Sequence, residues 1–217
     1  MEKMLTTETL QIKVSDVTLI GDLTIPENAT GIVVFSHGSG SSRLSTRNRF
    51  VAEFLQQHGH ATLLFDLLTP EEDLDYSMRF DIKLLTERLI LTTDWLLQQT
   101  RTKDLKIGYF GSSTGAASAL GAAAALGTKI RAVVSRGGRP DLAANVLPVV
   151  TAPTLLIVGG NDEPVIGMNQ QAYDLLRCEK NMEVVAGATH LFEEPGTLEH
   201  VAELAAKWFD KYLDSGR

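Results

Sequence analysis

The stretch LKIGYFGSSTGAASALGAAAAL, Leu105 to Leu126, places a strand directly before a helix. Its beginning is apolar, its end is rich in alanine, and five small residues separate the two parts. A simple strand-to-helix turn needs one glycine and one capping residue, but here Gly111 and Gly115 lie two positions before and after Ser113. In a sharp turn that exposes a serine hydroxyl above a sheet, side chains at those positions would collide with the neighbouring strand and helix. The spacing therefore predicts a nucleophile turn, defined here as residues 111–115.

Similar apolar segments flank this stretch on both sides. Short, nearly continuous apolar runs are typical of strands buried on both faces of a parallel sheet, and they occur at 31–36, 60–66, 105–110, 130–135, 152–160 and 182–187. Alternating apolar residues predict an antiparallel hairpin over 9–14 and 17–25. Apolar spacings of three and four predict helices at 46–58, 78–99, 114–126, 167–177 and 198–213. We expect one α/β domain over residues 1–217, with a mostly parallel sheet and helices on both faces.

Composition narrows the class of protein. A net charge of −7 argues against nucleic acid as the main partner, since binding to phosphates needs a basic surface. No apolar run is long enough to span a membrane, and the N-terminus lacks an apolar core of signal-peptide length. Cys178 is the only cysteine, which fits a reducing compartment. We therefore expect a cytoplasmic enzyme that binds a small molecule, without nucleic acid or membrane partners.

A serine hydroxyl needs a neighbouring base, usually a histidine that a carboxylate orients. His190 follows the last predicted strand, and Asp162 follows the strand at 152–160, so both lie at the same edge of the sheet as Ser113. The chain order serine, acid, histidine is that of the nucleophile-turn hydrolases. Asp66, at the end of another strand, is the competing acid.

The remaining histidines are weaker candidates. His37 ends the strand 31–36, and His200 lies within the last predicted helix. His58 and His60 form an H-x-H pair, but no acidic or cysteine partner accompanies them at the spacing of metal ligands. We therefore predict no metal site.

Negative charge that develops on a carbonyl oxygen during attack needs N–H donors. We expect one from Thr114, the residue after the nucleophile, and a second from the loop HGSGSS, residues 37–42, called here the anion loop. Its Ser39 is the preferred donor and Gly40 the reserve.

The same loop offers a rival interpretation, because G-x-G after a strand also occurs in dinucleotide sites. Arg43 occupies the third glycine position, and a hairpin precedes the strand, so this interpretation is weak. The phosphate-binding G-K-[ST] motif of nucleoside triphosphatases is absent from the sequence.

The motifs SHGSGSSR, GYFGSSTG, SRGGRPDL, APTLLIVGGNDEPV and THLFEEPG together resemble the α/β-hydrolase fold, and within it the dienelactone hydrolase-like family. The resemblance covers essentially the whole chain. It implies a catalytic triad and hydrolysis of a carboxylic ester or lactone without a cofactor. True dienelactone hydrolases carry cysteine as nucleophile, whereas this chain has Ser113, and we place Cys178 in a late helix. The short segment between the strands at 130–135 and 152–160 predicts that no cap domain covers the site.

Arginines cluster near the expected site, and a guanidinium can hold a substrate carboxylate or phosphate. Arg79 and Arg136 are the candidates for this role, with Ser112 as a further substrate-binding residue. Ion pairing with the acidic run 71–75 and with Asp141 is the somewhat stronger interpretation for the arginines.

These observations favour a serine esterase for small acyl groups. An acyltransferase with the same triad, or a ligand-binding sensor with an idle site, are the alternatives. A monomer and a homodimer are both compatible with the sequence.

Overall fold

The computed structural model describes residues 5–214 of the chain. Its centre is an eight-stranded sheet in the order β1-β2-β4-β3-β5-β6-β7-β8. The strands are β1 Thr7–Val14, β2 Val17–Thr24, β3 Gly31–Ser36, β4 Ala61–Phe65, β5 Lys106–Ser112, β6 Ile130–Arg136, β7 Thr154–Gly159 and β8 Lys180–Val185. The first hairpin pairs antiparallel within itself and with β4, and the pairs from β4 to β8 are parallel. The predicted mixed sheet with a leading hairpin is confirmed.

Five α-helices cover the two faces of the sheet. They are α1 Thr46–Gln57, α2 Ile82–Leu96, α3 Thr114–Leu126, α4 Glu163–Leu175 and α5 Thr197–Leu213. Helices α1 and α5 pack on one face through a cluster that includes Phe110 and Phe209, and α2, α3 and α4 bury apolar residues on the other. Within residues 5–214, none of the helices combines the length and the apolar character needed to cross a bilayer.

Two boundaries differ from the sequence prediction for physical reasons. Helix α4 begins at Glu163, four residues before the predicted start, because Pro164 occupies its first turn, where a missing N–H costs nothing. Helix α2 begins at Ile82, since the Asp81 side chain caps it by accepting from the Leu84 N–H at 3.0 Å. Residues Met78–Phe80 form a separate 3₁₀ turn.

The edge strand β8 also departs from the expectation of burial on both faces. Its residues are mostly intermediate or exposed, because it has a neighbour on one side only. The segment between β6 and β7 contains two short 3₁₀ turns, Pro140–Ala143 and Leu147–Val149. Residues 137–153 thus connect the two strands without an α-helix.

Candidate active site

Ser113 lies between the last residue of β5 and the first residue of α3, with φ of 49° and ψ of −124°. A residue other than glycine in such a conformation costs about 1–3 kcal/mol, so the surroundings must enforce it. Two backbone hydrogen bonds do so: the Ser113 N–H donates to the Arg136 carbonyl at 3.3 Å, and the Arg139 N–H donates to the Ser113 carbonyl at 2.9 Å. The nucleophile turn is therefore fixed against the loop after β6.

The two glycines of the turn are required by contact with backbone atoms. A Cβ on Gly115 would lie 2.1 Å from the Ser36 carbonyl oxygen and 2.6 Å from that of His37. A Cβ on Gly111 would lie 2.5 Å from the Ala116 Cα. These atoms cannot turn aside as the end of a side chain can. The predicted crowding around the turn is confirmed.

Asp162 and His190 meet above the carboxyl ends of β7 and β8. Asp162 precedes the first residue of α4 but makes no capping hydrogen bond with its side chain. Its Oδ2 lies 2.7 Å from His190 Nδ1. The aspartate side chain is 13% exposed and that of the histidine 39%, so the carboxylate is sheltered while the imidazole reaches solvent. With Nδ1 donating to the carboxylate, Nε2 is left as the basic nitrogen.

The His190 loop borders the nucleophile turn through Gly137, which follows Arg136. A Cβ on Gly137 would lie 3.6 Å from His190 Cε1. Within the described residues, the Ser113 hydroxyl makes no hydrogen bond to His190 or to any other group. Catalytic hydrogen bonds are often long in the free enzyme and shorten when substrate binds. His190 thus lies at the edge of the nucleophile turn, and the hydrogen bond between its imidazole and the Ser113 hydroxyl is not formed in this structure.

The competing acid, Asp66, has another partner. Its Oδ1 accepts from the Arg43 N–H at 2.8 Å, and its Oδ2 pairs with the Arg43 guanidinium at 2.6 Å. The His58 and His60 rings both lie near Asp210, at 3.5 and 2.7 Å, away from the nucleophile turn. Across residues 5–214, no group of three or more His, Cys, Asp or Glu side chains is arranged to bind a metal ion.

His37 has a role that the sequence did not indicate. Its Nε2 accepts from the Leu67 N–H at 3.1 Å, so Nδ1 carries the proton and donates to the Gly38 carbonyl at 2.9 Å. Burial lowers the pKa of His37, which favours this neutral form. The ring thereby ties the anion loop to the end of β4. The only indication in the sequence was the position of His37 at the end of a buried strand, and this position does not predict its hydrogen bond to Leu67.

The anion loop lies against the nucleophile. A Cβ on Gly38 would lie 3.0 Å from the Ser113 Cβ and 3.7 Å from its Oγ. The Ser39 N–H, predicted as the free second donor, instead donates to the Thr114 hydroxyl at 2.8 Å. In this structure the Thr114 side chain, at the start of α3, occupies that donor, so the role of the Ser39 N–H toward an oxyanion stays a prediction. Gly40, the reserve, has φ of 68°.

Ser112 and Arg136 lie beneath the turn, with only 4% and 5% of their surface exposed. Arg136 Nη2 donates to Asn48 Oδ1 and to Ser112 Oγ, both at 3.2 Å, and the Ser112 hydroxyl donates to Asn48 Oδ1 at 2.9 Å. Both side chains are engaged within the protein, which does not support their predicted contact with substrate, and that contact stays a prediction. They hold the turn from below.

The Arg136 guanidinium has no carboxylate partner within the described residues, and its Nε is buried without a hydrogen bond. Its carbon lies 5.8 Å from the centre of the Phe192 ring, two residues after the candidate base. Burial first, and the nearby charge of Arg47 second, lower the pKa of Arg136 to about 10, so it remains charged at neutral pH.

Arg79 is partly exposed and is paired within the protein. Its guanidinium donates to the Asp73 carbonyl from Nε at 3.1 Å and from Nη2 at 2.6 Å, and it pairs with the Asp73 carboxylate at 2.9 Å. The ion-pairing interpretation therefore describes Arg79 in this structure. The same holds for Arg139, whose guanidinium pairs with Asp141 at 2.8 Å.

Comparison with known proteins places this chain in a family. No family model matches the chain. The crystal structure of a dienelactone hydrolase from Anabaena variabilis is 56% identical, with a TM-score of 0.95, over 97% of this chain and 99% of that one. Est1E from Butyrivibrio proteoclasticus, with a TM-score of 0.78 at 16% identity over 94% of this chain and 98% of that one, shows the fold alone.

A Mycobacterium tuberculosis protein, named provisionally as a phosphoribosyl transferase, is 58% identical over 206 residues. The match covers 95% of this chain but 46% of that protein, so the chain spans about half the length of the curated relatives it matches. The near-complete match to the Anabaena structure, together with the strained serine turn and the His–Asp pair, leads to one conclusion. The chain belongs to the dienelactone hydrolase-like family of the α/β-hydrolase fold.

Proposed function

We propose that the protein is a serine hydrolase that cleaves carboxylic esters or lactones with small acyl groups. The observation that carries this proposal is the 2.7 Å contact of His190 with Asp162, at the sheet edge where Ser113 is held in a strained turn. The name of the Anabaena relative, dienelactone hydrolase, points to the same chemistry. A cavity of about 370 Å³ lies beside the anion loop and is lined by Leu19, His37, Ser41 and Leu68 among others, but the three proposed triad residues do not line it.

In the proposed reaction, Ser113 Oγ attacks the carbonyl carbon while His190 Nε2 takes the hydroxyl proton. Asp162 keeps the imidazole oriented and stabilises its charged form. The tetrahedral intermediate collapses to an acyl-enzyme, and the leaving alkoxide takes the proton from His190. A water molecule, activated by the same imidazole, then attacks the ester and releases the acid and Ser113.

The transferase name of the mycobacterial relative does not alter this proposal. More than half of that protein lies outside the match, so its name carries no assignment for the matched half. Acyl transfer to an alcohol in place of water uses the same acyl-enzyme, and added alcohols in a burst assay would separate the two outcomes by their products.

The test is hydrolysis of p-nitrophenyl acetate together with labelling by a fluorophosphonate. We expect Ser113→Ala to lower kcat by more than about 10³-fold and to abolish labelling, because the nucleophile is removed. Thr128→Ala, which removes an exposed hydroxyl before β6 at the opposite edge of the sheet, is the control and should leave both unchanged. Retained turnover in Ser113→Ala would reject the proposal. Absence of labelling in the unaltered protein would favour a ligand-binding protein with an idle site.

A paired test assigns the acid. Asp162→Asn should lower kcat by about 10⁴-fold, because the amide favours the wrong imidazole tautomer. Asp66→Asn should have a much smaller effect, since Asp66 pairs with Arg43. A reversed order of the two effects would move the acid to Asp66.

A further inference from the structure

The hydroxyl of Thr114 occupies an unusual place, between the anion loop and the backbone of the nucleophile turn. Thr114 is the first residue of α3 and immediately follows Ser113. Its Oγ1 accepts a hydrogen bond from the Ser39 N–H at 2.8 Å, and the residue is only 4% exposed. The N–H expected to serve as the second oxyanion donor therefore has a side-chain partner in this structure.

A threonine hydroxyl can accept and donate at the same time. Here its role as acceptor is filled by Ser39, while its own proton finds no acceptor among residues 5–214. The O–H is consequently free to rotate toward a group that arrives from outside. It lies one residue from the nucleophile, and the loop that it touches approaches the Ser113 side chain, as the 3.0 Å position of a Cβ on Gly38 shows.

We propose that the Thr114 O–H, together with the Thr114 backbone N–H, binds the oxyanion of the tetrahedral intermediate. The Ser39 N–H acts behind it by polarising the hydroxyl. This inference rests on the proposed serine hydrolase function. Chains of hydrogen bonds strengthen one another, and an O–H donor to a charged oxygen makes a short, strong bond.

The electron and proton balance of the step is simple. As Ser113 Oγ forms its bond to the carbonyl carbon, the π electrons of the carbonyl move to its oxygen. That oxygen accepts from the Thr114 hydroxyl, whose proton stays on Thr114 throughout. When the intermediate collapses, the carbonyl forms again, the bond to the leaving alkoxide breaks, and the hydroxyl is released unchanged.

A different role for the same contact predicts the opposite result. If the Thr114 hydroxyl only covered the Ser39 N–H, the substrate would have to displace it. Removal of the hydroxyl would then expose a donor and raise the rate. The sign of the change in kcat therefore decides between the two roles.

The experiment compares Thr114→Val with Thr114→Ser in hydrolysis of p-nitrophenyl acetate. Valine keeps the shape and removes the hydroxyl, so we expect kcat to fall by about 10²–10³-fold, as for loss of one oxyanion donor. KM should change little, because the interaction is strongest in the transition state. Serine keeps the hydroxyl and should restore most of the rate. An equal or higher kcat in Thr114→Val would overturn the proposal.

Thr102→Val is the matched control. The Thr102 hydroxyl is also buried and donates to the Leu96 carbonyl at 2.6 Å, but it lies before β5, at the opposite edge of the sheet. This variant should lose stability without losing kcat. A crystal structure of the unaltered protein with a phosphonate on Ser113 gives a test that needs no variant. Thr114 Oγ1 within about 3.0 Å of the phosphoryl oxygen would support the proposal, and an Oγ1 turned away from it would overturn it.

Failure of this inference differs from failure of the proposed function. If Ser113 is labelled and Ser113→Ala is inactive while Thr114→Val keeps full kcat, only the role of Thr114 is wrong. If Ser113→Ala keeps its activity, the function itself is wrong, and no result with Thr114 is needed to show it.

Discussion

The nucleophile turn and the segment 70–81, called here the rim segment, border the same anion loop but are held in different ways. The turn is fixed by backbone contacts, with Gly115 pressed against the Ser36 and His37 carbonyls. The rim segment is held by charged side chains: Arg88 pairs with Glu72 at 2.7 Å, and Arg79 pairs with Asp73. It also exposes large apolar side chains, Leu74, Tyr76 and Phe80.

The two regions differ in how rigidly they are held. A turn made of backbone contacts has little freedom, because close-packed atoms resist displacement. The Arg79–Asp73 pair is partly exposed and contributes little stability, whereas the Arg88–Glu72 pair is largely buried and anchors the start of the segment. The part of the rim segment after Glu72 can therefore change its sequence and position at lower cost than the turn. In the proposed function, the reacting serine lies on the first kind of structure, and the segment beside the anion loop is of the second kind.

Among the variants that test this contrast, Gly115→Ala should have the largest effect on stability and activity. The added methyl group would overlap backbone oxygens of β3 and the anion loop, and overpacking costs about 1–3 kcal/mol or more. We expect lower stability in urea and loss of most p-nitrophenyl acetate hydrolysis. Gly167→Ala is the control, since its Cβ would meet nothing within 4 Å on α4 and should stabilise that helix by about 0.5–1 kcal/mol. Equal stability of the two variants would contradict the packing argument.

Arg136→Met should separate activity from stability. The change removes a buried charge without a counter-ion, so the desolvation penalty of that charge disappears while the hydrogen bonds to Ser112 and Asn48 are lost. We expect the free energy of unfolding to stay level or rise and kcat to fall by about 10²-fold, as for a displaced catalytic group. Calorimetry and steady-state kinetics measure the two quantities.

Two variants control the Arg136 test. Arg131→Met removes an exposed charge at the other end of β6 and should change neither quantity. Arg136→Lys should restore part of kcat, because it keeps the charge but cannot reproduce the guanidinium geometry. A less stable Arg136→Met protein with normal kcat would show that Arg136 only supports the fold.

Arg79→Ala, in the rim segment, should have the smallest effect on stability and KM. Loss of its pair with Asp73 should cost at most about 1 kcal/mol. Because the guanidinium is engaged within the protein, we expect similar, small changes in KM for neutral and carboxylated esters. A rise in KM confined to the carboxylated esters would restore Arg79 as a substrate anchor and would weaken the contrast with the turn.

The sequence was most informative where one position had one physical requirement. Gly111 and Gly115 were predictable, because a sharp turn tolerates no side chain there. The pairing of Asp162 with His190 followed from strand order, since parallel strands end at one edge. These constraints are local or topological, and both can be read along the chain.

Contacts that depend on side-chain direction were not predictable. The bond from the Ser39 N–H to the Thr114 hydroxyl joins residues 75 positions apart and depends on how a loop settles on a helix. The burial of Arg136 was missed because charged residues are almost always exposed or paired. Its partners, Asn48 and Ser112, carry no charge that would mark them in the sequence.

The protein has one cysteine, and its place bears on redox chemistry. Cys178 lies in the loop between α4 and β8, not in the helix predicted for it, and its thiol contacts Thr154. Burial raises the pKa of this thiol, so little reactive thiolate forms at neutral pH. A hydrolase with a sulfur nucleophile loses activity when peroxide or an alkylating reagent modifies its thiolate. The proposed nucleophile, Ser113, carries an oxygen and does not undergo these thiolate reactions. Turnover should therefore persist under oxidative stress.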